Sequence, residues 1–181
     1  MHCLRLLPPL VLGCVLLLAA AAGATVYHSR DEALQLAFPD AERVQPKEFF
    51  LTAAQRAAIE EQAKSPLESD LLTVYIGYRG GQPIGYALFD THVVRTLPET
   101  FLIVLSPAGA VTATHLLAFY EPAEYAPPER WLGQFRDARL SSELRVGRSI
   151  AGITGSTLTA EAVTGGVRRA LSIYAVLLKG S

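Results

Sequence analysis

Cysteine, methionine and charge imbalance are all scarce in this chain, and each shortage excludes something. Only two cysteines occur in 181 residues, Cys3 and Cys14, and both lie in the hydrophobic N-terminal stretch. The remainder therefore has no disulfide, no thiolate nucleophile and no cysteine-based metal site. A domain of this size folds without such staples, so their absence is compatible with export. The formal net charge is −1. That balance lacks the basic footprint of a nucleic-acid binder. Apolar residues are plentiful by contrast, at 50%, enough for a substantial core.

The N-terminus reads as a targeting segment. Arg5 gives a short positive region, residues 6–22 are uncharged and rich in Leu, Val and Ala, and Ala22-Gly23-Ala24 is a small-residue pattern. That pattern predicts cleavage before Thr25. The uncharged run 6–26 is also about long enough to cross a bilayer. The chain is thus expected to be exported by a signal peptide or held by an N-terminal anchor. Cys14 makes a poor lipid-attachment site, because strongly apolar residues follow it. The organisation expected is a targeting segment at 1–24, a helical segment at 25–66 and the main domain at 67–181.

After residue 25 the hydrophobic period changes along the chain. Residues 29–38 predict a helix capped by Ser29, with Asp31 and Glu32 in its first turn, and Pro39 ends it. Residues 52–64 predict a second helix, with Thr52 and Gln55 spaced as a capping box and Leu51 as a staple. Residues 72–79 and 82–90 alternate around Gly80-Gly81 and predict a hairpin. Residues 100–105 and 110–119 flank Pro107-Ala108-Gly109 as a second one. Three prolines exclude regular structure from 121–128. Residues 129–135 predict a short helix with Trp131 and Phe135 on one face, and 160–179 a terminal helix with an apolar stripe. Helices, then hairpin-connected strands, then a last helix define an α+β fold with an antiparallel sheet.

The informative segment is Gly152 to Val163, GITGSTLTAEAV. It delivers glycines and hydroxyls onto the start of a helix. Glycine lets the backbone approach a ligand, and a helix start offers unpaired N–H groups to a phosphate. Thr154, Ser156, Thr157 and Thr159 add hydroxyls, with no base beside them. The plainer explanation is an ordinary turn with Thr159 as the helix cap.

Thr154-Gly155-Ser156-Thr157-Leu158-Thr159 resembles the S/T-G-A-T-x-S/T signature of the FMN-binding domain family. That family includes the periplasmic covalent-flavin subunits of sodium-pumping NADH:quinone oxidoreductases and Rnf-type electron transport complexes. Ile84-Gly85-Tyr86-Ala87 resembles the family's glycine-containing strand, the span from Phe119 through Trp131 to Phe135 its middle segment, and residues 163–171 its last helix. The resemblance implies an FMN cofactor at Thr154, Gly155, Ser156, Thr157, Leu158 and Thr159. It implies Thr157 as the threonine that a separate flavin transferase esterifies, with Ser156 and Thr159 as fallbacks. It implies a membrane-bound or periplasmic redox partner, and a place at the outer face of the cytoplasmic membrane. Two positions depart from the pattern. Ala151 stands where the family usually has aspartate, and Ser156 where it has alanine. Loss of the aspartate points to the alternative of a flavin-free binding or sensory module.

Other candidates carry weaker signals. His28, His92 and His115 show no metal-ligand spacing and read as surface or hydrogen-bonded histidines. Asp90 and His92 end a strand. Glu121, Glu124 and Glu129 crowd a Pro-rich loop and read equally as solvated side chains or as an acid/base pair. Arg168 and Arg169 are expected on the exposed side of the last helix. Tyr86, Phe89 and Trp131 are the aromatic candidates for stacking on a flavin ring, and equally for the core. A hydrolase built on one of the threonines would lack a neighbouring base.

Overall fold

The computed structural model describes residues 25–180. Residues 1–24, expected to be a targeting segment, lie outside them. In chain order the elements are β1 (Thr25–Val26), α1 (Arg30–Ala37), β2 (Arg43–Phe50), α2 (Ala53–Ala63), β3 (Leu71–Arg79), β4 (Gln82–Val93), β5 (Pro98–Leu105), β6 (Val111–Phe119), α3 (Glu129–Leu132) and α4 (Thr157–Ile173). The six strands form one sheet in the order β1-β6-β5-β4-β3-β2, and every pairing is antiparallel. The expected α+β class is thus the observed one.

Local sequence explains most of these elements. α1 and α2 each begin in a complete capping box, Ser29 with Glu32 and Thr52 with Gln55. Such a cap is worth about 1 kcal/mol. β5 is buried along most of its length because both faces of the sheet are covered. Phe101, Ile103 and Leu105 join the larger core, beneath α2, α3 and α4. Leu102 and Val104 join Ala33 and Phe38 in a smaller core under α1. Gly77 and Gly85 face each other across β3 and β4. A Cβ on Gly77 would stand 2.7 Å from the Phe38 ring, and one on Gly85 would stand 2.9 Å from the Leu105 carbonyl.

Several boundaries differ from the sequence expectation. β2 has no counterpart in it; this is an edge strand containing Pro46, and it pairs with β3 along all eight residues. The segment 25–66 thus carries two strands, β1 and β2, as well as two helices. α4 starts at Thr157 rather than 160 and passes into a wider turn at Tyr174–Leu178. Thr159 is therefore inside the helix, and Ser156 holds the cap position. The helix expected at 129–135 is α3 followed by a tighter turn at Gly133–Phe135, and the loop after Glu121 contains one such turn at Ala123–Tyr125.

One sheet feature positions a cavity. The β3–β4 ladder ends at Tyr75 and Ala87. Beyond it, residues 71–74 pair only with β2, and residues 88–93 only with β5. The two strands part there, and a cleft of about 520 Å³ opens between them against α4.

Candidate functional site

α4 presents two different faces, and the signature belongs to one of them. The turn before it is made by Gly155, whose φ of +82° suits glycine, and by the Ser156 N–H donating to the Ile153 carbonyl. No side chain caps the helix. The first-turn N–H groups of Thr157, Leu158 and Thr159 thus point outward at the positive end of a 17-residue helix. The Ser156 hydroxyl is buried and has no hydrogen-bond partner. A buried hydroxyl left bare costs on the order of 1 kcal/mol or more.

The signature residues fall into two groups. Thr154, Gly155, Thr157 and Leu158 are exposed, whereas Ser156 and Thr159 are buried. Of the three hydroxyls weighed as flavin acceptors, only that of Thr157 is on the surface. Helical spacing puts Thr157 in line with Glu161, Thr164 and Arg168. Glu161, Thr164 and Arg168, but not Thr157, line a shallow groove of about 530 Å³ together with Ala63, Lys64, Arg145, Val146 and Gly165. The groove is cationic and contains no aromatic side chain. Of the aromatic candidates, Tyr86 and Trp131 are core residues, and Phe89 lines the other cleft.

The loop that leads into the signature is fixed from behind. The Trp131 indole N–H donates to the Ala151 carbonyl at 2.7 Å, and the Ala151 N–H donates to Gln134 Oε1 at 2.9 Å. Both backbone groups of the departing residue are therefore held by the segment after β6. Arg168, expected on the surface, is buried. Its guanidinium donates to the carbonyls of Ala63, Gln62, Ser141 and Leu144. It closes the C-terminal end of α2, where carbonyls lack helical partners, and ties that end to the 141–144 loop.

The opposite face of α4 carries a charge network that no sequence motif announced. Arg169, also expected on the surface, is largely buried and grips Asp90, with Nη2 at 2.8 Å from both carboxylate oxygens. Asp90 Oδ2 lies 2.7 Å from His92 Nδ1, and His92 Nε2 lies 2.7 Å from Glu99 Oε1. Gly166 makes room for this contact, since a Cβ there would collide with the Asp90 carboxylate. Burial opposes charge on His92, but its hydrogen bonds to Asp90 and Glu99 outweigh that and raise it to about 9. Burial also works against charge on Asp90, yet His92 and Arg169 hold its carboxyl below the usual range. Glu99 has no exposed surface, and burial pushes it up. The i, i+2 spacing of Asp90 and His92 was the one available hint, because it puts both on one face of a strand.

The remaining candidates are structural. Glu121 is buried, not solvated, and its Oε1 accepts from the N–H groups of Arg95, Thr96 and Leu97. Glu124 and Glu129 are exposed, and His28 is half-buried. The His115 Nε2 is buried without a partner, and burial lowers that imidazole. No cluster of His, Cys, Asp and Glu suited to a metal occurs among the described residues.

Fold and site define an α+β domain with an anion-ready helix start on its surface. Comparison with known proteins adds a relative. The chain is 30% identical over 121 residues to one subunit of the Na(+)-translocating ferredoxin:NAD(+) oxidoreductase complex of Acetobacterium woodii, covering 61% of this chain and 58% of that protein. It thus spans little more than half of the relative's length. The resemblance to this class of electron-transport subunit, drawn from the signature, is borne out by that relative. The solved structure of Shewanella oneidensis NqrC is similar at a TM-score of 0.47 with 12% identity, covering 76% of this chain and 79% of that one. No family model matches the chain.

Proposed function

We propose that the chain is an exported electron-transfer subunit that carries FMN at the start of α4 and works with a membrane-bound redox partner. The carrying observation is the unsatisfied donor set there. Three first-turn N–H groups without a side-chain cap and the bare, buried Ser156 hydroxyl belong to a turn whose neighbours Thr154 and Thr157 are exposed. This is the chemistry a phosphate monoester satisfies. Helix N–H groups and the hydroxyls of residues 154–157 bind the phosphate. Lys64 and Arg145 at the groove add positive charge. The flavin, once bound, supplies the electron chemistry, and the protein sets its position and field. Thr157 is the acceptor in the covalent form. A flavin transferase would transfer the FMN phosphoryl group from a flavin dinucleotide to the Thr157 Oγ1, breaking the diphosphate bond, with the nucleoside monophosphate as leaving group and the hydroxyl proton released. The A. woodii relative, which belongs to a ferredoxin:NAD(+) oxidoreductase complex, supports the redox assignment.

The test is the intact mass and visible spectrum of the protein taken from its native host's envelope. One added FMN, lost in Thr157→Val, is the expected result. An unmodified polypeptide that releases no flavin on denaturation would overturn the reading.

Ala151 favours a second reading, a flavin-free binding module on the same scaffold. Ala151→Asp with a co-expressed transferase separates the two. Gain of flavin at Thr157 only in that variant would mark a scaffold that has lost its attachment signal.

A further inference from the structure

Eight large hydrophobic side chains are exposed among the described residues: Val26, Tyr27, Leu36, Phe50, Leu71, Val93, Leu97 and Leu158. Strand register shows that most of them share one end of the sheet. Phe50 is opposite Leu71. Counting along β3 and β4 from the Tyr75–Ala87 pair brings Leu71 level with Thr91, which is opposite Thr100. Thr100 is opposite Ala118, and Ala118 is opposite Val26. Val93, two residues beyond Thr91, and Leu97 lie farther out, at the end of β4 and in the loop that follows. The row therefore occupies this end of the sheet on both sides of the β3–β4 cleft, with Phe50 78%, Val26 61% and Val93 60% exposed. None of the eight lies in the turns at the opposite end, residues 79–82 and 106–110, where Arg79, Gln82 and Ser106 stand instead.

The same end receives the N-terminal segment. Thr25 opens β1 opposite Phe119, inside this row, and residues 1–24 join the domain there. Those residues carry the uncharged apolar run already described. Isolated apolar side chains on a surface need no explanation, but a row aligned at the entry point of such a segment does.

We propose that this end of the sheet rests on the lipid bilayer, with Val26, Phe50, Leu71, Val93 and Leu97 dipping into the interface. The proposal rests on residues 1–24 being retained as a membrane anchor. Contact is made by apolar insertion rather than by charge. Arg30 and Arg95 flank the row, but Glu68 and Asp70 stand at the same corner, with Asp70 paired to Arg56. The flavin domain would then be held in a fixed orientation over the membrane instead of swinging on a tether.

The test uses the full-length chain with Cys3→Ser and Cys14→Ser, reconstituted into phosphatidylcholine–phosphatidylglycerol vesicles. Spin labels are placed singly at Phe50→Cys, at Val93→Cys and, at the opposite end, at Asp40→Cys. The expected result is flotation with the vesicles, and labels at 50 and 93 several-fold more accessible to oxygen than to a nickel chelate. The label at 40 shows the reverse, and high salt changes neither pattern. Flotation with all three labels in water overturns the proposal and leaves the anchor standing. Failure to float overturns the anchor and the proposal together. Labels at 50 and 93 that stay in water and become shielded only when a partner protein is added assign the row to that protein and overturn the lipid contact.

Discussion

The two faces of α4 handle polar groups in opposite ways. On the cleft side, Arg169, Asp90, His92 and Glu99 use one another, and little is left over but one oxygen of Glu99. On the signature side, helix N–H groups and the Ser156 hydroxyl are presented with no protein partner. A closed network of charges supports the fold, because removing any one member strands the others in a poorly solvated place. An open set of donors contributes nothing until something arrives to accept. The contrast separates polar residues that hold the structure from polar residues that await a ligand.

That contrast can be broken at several points. The largest expected effect is on the closed side. Arg169→Ala leaves the buried Asp90 with His92 as its one remaining cationic partner and lowers unfolding free energy by about 3 kcal/mol, measured by urea denaturation. A loss under about 0.5 kcal/mol would mean that the network is ornamental.

Next comes the pH dependence of the same network. The folded protein holds the His92 proton more tightly than the ordinary value of 6.5 allows, up to about 9. A raised folded value stabilises fully below 6.5, and that contribution is lost as pH rises through about 9. Thermal midpoints should therefore fall across this window, by the equivalent of roughly 2 kcal/mol. The slope should flatten in His92→Gln.

A smaller effect is expected behind the signature. Trp131→Phe removes the donor to the Ala151 carbonyl and should cost about 1 kcal/mol. It should also speed amide exchange through residues 151–156, while α4 beyond its first turns stays protected.

The smallest stability change sharpens the comparison most. Thr157→Val alters an exposed side chain and should leave stability within about 0.5 kcal/mol, while the proposed covalent flavin should disappear from the intact mass. Ser156→Ala deletes a hydroxyl that has no partner; it should be neutral or slightly stabilising in the empty protein while weakening phosphate binding.

Local rules made much of the fold legible. α1 and α2 announce themselves through capping boxes that form as spaced, and β3–β4 and β5–β6 through turn glycines between alternating residues. β2 is hidden because Pro46, Lys47 and Glu48 do not look like a strand. Its place at the edge tolerates all three, and its pairing with β3 supplies what its own residues do not. The start of α4 reads too late in the sequence because Thr159 has the chemistry of a cap, whereas the helix begins at Thr157 with no capping side chain. The signature turn is legible in a handful of neighbouring residues. The arginines are not, because Arg168 reaches carbonyls 105 and 106 residues away and Arg169 a carboxylate 79 residues away. Such distances leave no periodic trace.

The Phe38 ring lying on Gly77 and Gly85 has a consequence for how the first hairpin assembles. The ring needs two bare backbones side by side, and only one alignment of β3 with β4 brings the glycines together. A shift by one residue would put Ile76, Tyr78, Ile84 or Tyr86 where the ring must go. α1 thus acts as a gauge for strand alignment: it can seat only after the correct pairing has formed.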